Sequence, residues 1–348
     1  MALDSELNIL LKRGALGYAQ AEAAMQRMLG GQELPAQIAA LLTALRWKGE
    51  TAEELAGFAA AMRAAVVPVA TPLGVPVVDT CGTGGDGTGT FNISTVVAFV
   101  AAGAGVVVAK HGNRSVTSRS GSADVLEAWG VRIDLSPAQM ALCLEQCGIA
   151  FLFAPSLHPA MKHVGPVRKA LGFRTVFNLL GPLANPASAP YQVIGVPSKE
   201  IARKMARALF RLGTTRSLVV HGLDGLDELT LSGDSVVYEV TNQRVVHRVL
   251  TPLDFGLPLA PLGALAGGDA RENAEIGGRI LRGQLDGPAR DVVLMNASAV
   301  LVACGVARDW RDGVQRAAVS IDSRAALRKL EGLVDLTRSF AAGGDFRG

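Results

Sequence analysis

The stretch "VPVVDTCGTGGDGTGTFNISTVVAFVAAGAGVVVAK", residues 75–110, decides the fold. "VPVVD" is a short apolar strand, and it runs straight into a loop with glycines at 82, 84, 85, 87 and 89. "STVVAFVAAGAG" reads as a helix with its stop, and "VVVAK" as a second buried strand. Strand, loop, helix and strand in that order predict a parallel sheet. No charge stands between Asp86 and Lys110. The apolar part is short and contains "GAG" at 103–105, so a helix, a turn and a strand explain it better than a membrane span.

A strand ending in a glycine loop at a helix start aims several backbone N–H groups at one point. The helix N-terminus adds about half a positive charge. The hydroxyls of Thr88, Thr90, Ser94 and Thr95 add hydrogen bonds, and the whole reads as a phosphate or pyrophosphate cradle. No Gly-Lys-Ser/Thr is present, which excludes a Walker A loop. Gly82, Gly84 and Gly87 match G-x-G-x-x-G, but a dinucleotide site needs an acid about 20 residues further on. Lys110 stands there instead, and the nicotinamide reading falls.

Outward from this unit the chain divides. Residues 1–70 read as all helix, with Ile38, Leu41, Leu42 and Leu45 on one face and "TAEE" at 51–54 as a capping box. "VPVATPLG" is a linker. Residues 71–348 continue the α/β pattern. "SPAQMALCLEQCG" has Ser136 as N-cap, Pro137 at the first helical position and Gly148 at the stop. "IAFLF", "YQVIGV" and "SLVVHG" extend the sheet, and the alternating run from 230 to 250 predicts antiparallel strands at one edge. The fold class is therefore α/β: a small all-helical N-terminal domain, completed by helices from about 160–185, and a larger domain with a mostly parallel sheet.

Net charge is +3 over 348 residues, too mild for a nucleic-acid partner. "MALDSELNIL" carries an acid early and no apolar core of a signal peptide. The four cysteines, 81, 143, 147 and 304, form no CxxC pair and read as small buried thiols in a reducing compartment. A cytoplasmic protein, off the membrane, is expected.

"GTGGDGTGTFNIST", "KHGNRSVTSRSGSADVLEAWG" (110–130), "FAPSLHPAMKHVGPVRKALGFRTVFNLLGPLANP", "VVHGLDGLDE" and "GPARDVVLMNASAVL" together closely resemble the anthranilate phosphoribosyltransferases, over nearly the whole chain. The resemblance implies transfer of a phosphoribosyl group from phosphoribosyl pyrophosphate to the amine of anthranilate, Mg²⁺ as cofactor, and a homodimer joined through the helical domains. By position in that family, Gly82, Gly85, Asp86, Thr90, Asn92, Ile93, Ser94 and Thr95 contact the phosphoribosyl pyrophosphate. So do Lys110, His111, Gly112, Asn113, Arg114, Ser115, Val116, Thr117, Ser118 and Ser122. Ser94, Asp227 and Glu228 serve the metal. Gly82, Asn113 and Arg168 meet anthranilate, with Lys110, Asn113 and Arg168 as the catalytic set. An arginine can fork onto a carboxylate. Asn113 lies near an aryl amine that needs positioning more than a strong base. His158 is a further candidate for the pocket wall. Trp129 stands where the family usually has a smaller aliphatic residue. Two rivals share the fold: a pyrimidine nucleoside phosphorylase, and a non-catalytic nucleic-acid-binding relative.

Overall fold

The computed structural model describes residues 3–115 and 119–342. Four helices open the chain: α1 (Asp4–Leu11), α2 (Tyr18–Leu29), α3 (Pro35–Lys48) and α4 (Ala52–Ala65). α2 and α4 pack closely because small residues face each other. A Cβ on Gly57 would lie 2.3 Å from the Tyr18 carbonyl oxygen. Thr51 caps α4, its hydroxyl accepting from Glu54 N–H, while Glu54 returns a bond to Thr51 N–H at 2.8 Å.

Glu54 does more than close that box. Its side chain is fully buried and also accepts from Leu16 N–H and the Lys48 ammonium, both at 2.9 Å. Removing one partner of a buried ion pair leaves the other uncompensated, at a cost of about 3–5 kcal/mol. Glu54→Ala should therefore lower the unfolding free energy by that order in a denaturant titration. A loss within experimental error of zero would contradict it.

The α/β part begins with β1 (Val77–Gly82), α5 (Ile93–Gly103), β2 (Val107–Gly112), α6 (Ser122–Ala128), α7 (Pro137–Cys147) and β3 (Ile149–Phe153). Short helices α8 (Ala154–Leu157), α9 (Gly165–Leu171) and α10 (Phe177–Leu180) follow. Next come β4 (Tyr191–Gly195), α11 (Lys199–Arg211), β5 (Arg216–Gly222), β6 (Ser235–Thr241) and β7 (Val245–Leu250). Four helices finish it: α12 (Ala270–Leu281), α13 (Pro288–Ala303), α14 (Trp310–Asp322) and α15 (Ala325–Ala342). The strands form one seven-stranded sheet in the order β3-β2-β1-β4-β5-β6-β7. The first five are parallel, and β6 and β7 run antiparallel at one edge.

Strands β2 and β3 go to one side of β1, and β4 and β5 to the other. The order reverses between β1 and β4, and open α/β sheets bind ligands outside the carboxyl ends of the strands at such a point. One apolar core lies around α5, α13 and the sheet. The other joins the bundle to Val164, Val176, Phe177 and Leu180 and to the buried face of α11. Trp129 caps α6, stacks edge-on against Phe99 and donates to the Ala274 carbonyl at 2.7 Å. Gly277 makes the room for it, since a Cβ there would fall 2.7 Å from the indole.

The described cysteines are all unpaired, and burial pushes the Cys143 thiol up to about 12. Among the described residues no helix is long and apolar enough to cross a membrane.

Candidate active site

The glycine loop leaves β1 at Gly82 and ends at Asn92, the N-cap of α5. Gly84, Gly85, Gly87 and Gly89 all have positive φ, from 63° to 80°, a region that side chains make costly. That is why the loop alternates glycine with polar residues. Asn92 tethers both flanks, donating to the Ser120 carbonyl at 3.2 Å and accepting from Asn273 at 2.9 Å. Ile93 is buried in the first turn of α5. Thr90 pairs with Ala266 in an isolated bridge. Two buried hydroxyls, Thr83 Oγ1 and Thr95 Oγ1, have no hydrogen-bond partner among the described residues. Unsatisfied buried polar atoms are rare, and at a loop of this kind they point to a polar ligand.

The acidic pair arrives from the turn after β5. Asp227 Oδ2 accepts from Gly84 N–H at 3.1 Å, and Asp227 N–H donates to Asp86 at 3.4 Å. Two glycines on neighbouring strands open the space. Gly82 and Gly195 are paired across β1 and β4. A Cβ on Gly195 would lie 1.6 Å from the Asp227 carbonyl oxygen, and one on Gly82 would lie 2.9 Å from Asp227 Oδ2. Gly195→Ala should consequently displace Asp227 and abolish turnover while leaving far-UV circular dichroism unchanged. A fully active variant would show that Asp227 can shift without consequence.

Burial first, then the Asp86 carboxylate, pushes Asp227 up to about 7. Burial and the charge of Asp227 push Glu228 up to about 8, against the pull of Lys110 and a hydrogen bond from Ser94 N–H. The third acid of the turn, Asp224, serves structure instead. It accepts from Thr230 and Ser232 hydroxyls and from Leu226 N–H. Crowded carboxylates held up in this way suit a divalent cation. Among the described residues no three His, Cys, Asp or Glu form a complete metal site. Mg²⁺ does not require one, because it is typically held by one or two carboxylates plus substrate oxygens and water.

Lys110 lies inside rather than over the loop. It is buried, and its ammonium donates to the Thr80 carbonyl at 2.5 Å and to Ser94 Oγ at 3.3 Å. Burial lowers its pKa, opposed by Asp79, Cys81 and Glu228. Asp79, not singled out from sequence, is fully buried beneath it and accepts from His111 N–H at 3.0 Å. His111 bonds the Gly181 carbonyl through Nδ1 at 3.0 Å, so Nδ1 carries the proton and Nε2 accepts from His158 Nε2–H at 3.2 Å. Burial pushes the pair down to about 3 and about 4. Both rings are neutral at physiological pH and brace the wall.

Gly112 and Asn113 follow at the carboxyl end of β2. A Cβ on Gly112 would strike Ser122 Oγ and Phe151, and Ser122 Oγ donates to the Asn113 carbonyl. Asn113 is exposed, with Oδ1 accepting from Arg114 N–H at 2.8 Å. Arg114 pairs with Asp124 and Glu127 on α6, and Ser115 N–H donates to Asp124 at 3.3 Å. Val116, Thr117 and Ser118 lie outside the described residues. Arg168 is half-buried on α9 with its guanidinium 5.0 Å from the centre of the Phe177 ring, and it forms no ion pair among the described residues. Burial lowers its pKa.

A polar cavity of about 150 Å³ lies elsewhere, at the amino ends of β4 and β5, lined by Arg63, Asn185, Ser188, Gln192 and Thr214. It has no acidic group and no glycine loop, so the chemistry lies at the opposite edge.

A helical bundle beside an α/β domain, with an anion cradle and an acidic pair at the switch point, defines a two-domain glycosyl transferase. The helical-bundle model of that family matches residues 6–66, and its a/b-domain model residues 74–327. Curated anthranilate phosphoribosyltransferases from Solibacter usitatus and a Roseiflexus species are 54% and 52% identical, each over 97% of this chain and 100% and 99% of theirs. The chain belongs to the anthranilate phosphoribosyltransferase family. Solved structures agree. That of the Thermus thermophilus enzyme has a TM-score of 0.89 at 45% identity, covering 95% of this chain and 99% of that one. That of the Saccharomyces cerevisiae enzyme in complex with PRPP and Mg has a TM-score of 0.88 at 32% identity, covering 97% and 98%.

Proposed function

We propose that this protein transfers the 5-phosphoribosyl group of phosphoribosyl pyrophosphate to the amine of anthranilate, a step of tryptophan biosynthesis. The observation that carries the reading is the contact between the glycine cradle and Asp227 at the β1/β4 switch point. The bond from ribose C1 to the pyrophosphate oxygen breaks, and its electron pair leaves with pyrophosphate. The amine lone pair forms the new C1–N bond, and the nitrogen releases a proton to solvent. The transition state is oxocarbenium-like.

Negative charge grows on the leaving group, so donors aimed at it are the main catalytic lever. The loop N–H groups, from Gly82 through the first turn of α5, and the hydroxyls of Thr90, Ser94 and Thr95 supply them. Ser94, Asp227 and Glu228 would hold Mg²⁺, which neutralises pyrophosphate charge when bound. Lys110 positions Ser94 and offsets Glu228. Arg168 holds the acceptor's carboxylate, and an oxygen of Asn113 accepts from its amine beside Gly82, leaving the nitrogen lone pair free to attack. A Saccharomyces cerevisiae relative has been solved with 4-fluoroanthranilate, which supports this acceptor. A nucleoside phosphorylase or a nucleic-acid-binding relative is not favoured by relatives of this identity.

We further assign the domain boundary near residue 70, between the spans of the two family models, and place the protein in the cytoplasm as a homodimer. Leu11 on α1, Leu34 just before α3 and Trp47 on α3, all well exposed, support a partner surface on the bundle. The test follows the loss of anthranilate fluorescence with phosphoribosyl pyrophosphate, with and without Mg²⁺. Metal-dependent loss is expected. No loss, in protein that still binds phosphoribosyl pyrophosphate, would overturn the acceptor.

A further inference from the structure

The segment that carries Arg168 also reaches the glycine loop. α9 ends at Gly172, which is left-handed (φ 67°), and the chain turns so that Arg174 lies against the cradle. Arg174 Nη2 donates to the Thr83 carbonyl at 3.2 Å. The guanidinium sits directly on the Gly85 backbone, where a Cβ would fall 1.4 Å from Nη1. Thr83 and Thr175, the residue after Arg174, each carry a buried hydroxyl without a hydrogen-bond partner among the described residues. The Arg174 charge is attracted by Asp227 and Asp86 and repelled by Arg46 of α3, and α3 packs on α9. The repulsion from the bundle side and the attraction from the loop side act together, and both hold the guanidinium on the loop.

We propose that Arg174 is a positioning residue that couples the two substrate subsites, by tying the phosphate-binding glycine loop to the short segment bearing Arg168. The proposal rests on the transferase reading above. Only six positions separate the two arginines, and one intervening turn links them. An acceptor carboxylate that draws Arg168 into place also orders the turn beyond it, and with it the contact on Thr83 and Gly85. Ordering the loop first has the reverse effect, because coupling between two bound ligands is reciprocal. The planar fork matters as well as the charge: Nη2 bonds the carbonyl while the flat face covers Gly85, and a lysine cannot do both.

The test uses the full chain with Mg²⁺ and measures phosphoribosyl pyrophosphate affinity by calorimetry, with and without benzoate, which carries the acceptor's carboxylate but no amine to react. In the wild type each ligand should tighten the other about fivefold or more. Arg174→Gln should weaken phosphoribosyl pyrophosphate binding roughly tenfold, as expected on losing a charged hydrogen bond, and bring the mutual effect down to none. Arg174→Lys should recover part of the affinity and little of the coupling. The melting temperature of each variant separates this role from plain packing. A folded Arg174→Gln protein with unchanged affinity and coupling overturns the proposal. So does lowered thermal stability with both quantities intact, or a wild type in which neither ligand affects the other. Turnover by the wild type is scored separately: its absence would sink the transferase reading, while the effect of Arg174 on phosphoribosyl pyrophosphate affinity would still be read.

Discussion

Replacing Asp227 with asparagine should lower kcat/KM for phosphoribosyl pyrophosphate by about a thousandfold, while thermal stability in metal-free buffer stays level or rises. Asp227 would act through the Mg²⁺ it helps to hold, and losing such charge neutralisation of the leaving group is expected to cost about 3–4 kcal/mol of transition-state stabilisation. Stability moves the other way because the native site strains the acid. Asp227 is pushed up to about 7 in the folded chain, above its ordinary 3.8. Between those values the folded protein keeps a proton that the unfolded chain gives up, so stability falls as pH rises through that window. Glu228, pushed up to about 8, extends the fall upward. Asparagine removes one charge from the cluster and relieves the loss.

A divalent cation does the same to the wild type where the pair is ionised. Added Mg²⁺ should therefore raise the melting temperature more at pH 8.5 than at pH 5.5, and the Asp227→Asn protein should show less of this difference. Differential scanning fluorimetry across that range decides the matter. A Mg²⁺ effect independent of pH, or an asparagine variant with wild-type turnover, would remove Asp227 from the metal site.

The second large effect is expected at Arg168. Arg168→Ala should raise KM for anthranilate about a hundredfold and leave KM for phosphoribosyl pyrophosphate within a few-fold. A half-buried guanidinium on an aromatic ring, with no acidic partner among the described residues, is arranged to meet an incoming carboxylate. A hydrogen bond to a charged group is worth about 1.5–3 kcal/mol, and a bidentate pair lies at the upper end. Lysine keeps the charge but not the fork, so Arg168→Lys should fall between alanine and wild type. Aniline, which lacks the carboxylate, supplies the control: its poor turnover should be indifferent to the substitution. If Arg168→Ala raised both KM values equally, the residue would be supporting the fold of α9 rather than binding the acceptor.

Much of this site was legible in the chain because its pieces are local. The cradle needs a strand end, a run of glycines and a helix start, and all three lie within residues 77–103. The capping boxes at Thr51 and Ser136 are likewise contained in four consecutive residues. What sequence missed is what distant segments do to each other. Asp79 stands in the first strand with no role visible from the strand alone, because its partners Lys110 and His111 belong to the next strand. Lys110 is turned inward, held by Thr80 and Ser94, which the strand pattern around it did not show. That Asp224 belongs to the turn itself is shown only by the hydroxyls of Thr230 and Ser232.

The sequence by itself determined the α/β class, the helical bundle before it and the glycine loop between strand and helix, while the acidic pair came from the family resemblance. Each of the first three rests on hydrophobic period, backbone freedom or capping chemistry, which act over a few neighbouring residues. Tertiary structure alone decided that Asp227 meets Gly84 across 143 residues of chain, that Arg174 meets Thr83 across 91, and that Gly195 is small so that Asp227 can pass. Those contacts arise where β1 and β4 lie side by side, and the crossovers that bring the two strands together leave no local mark on the residues they join.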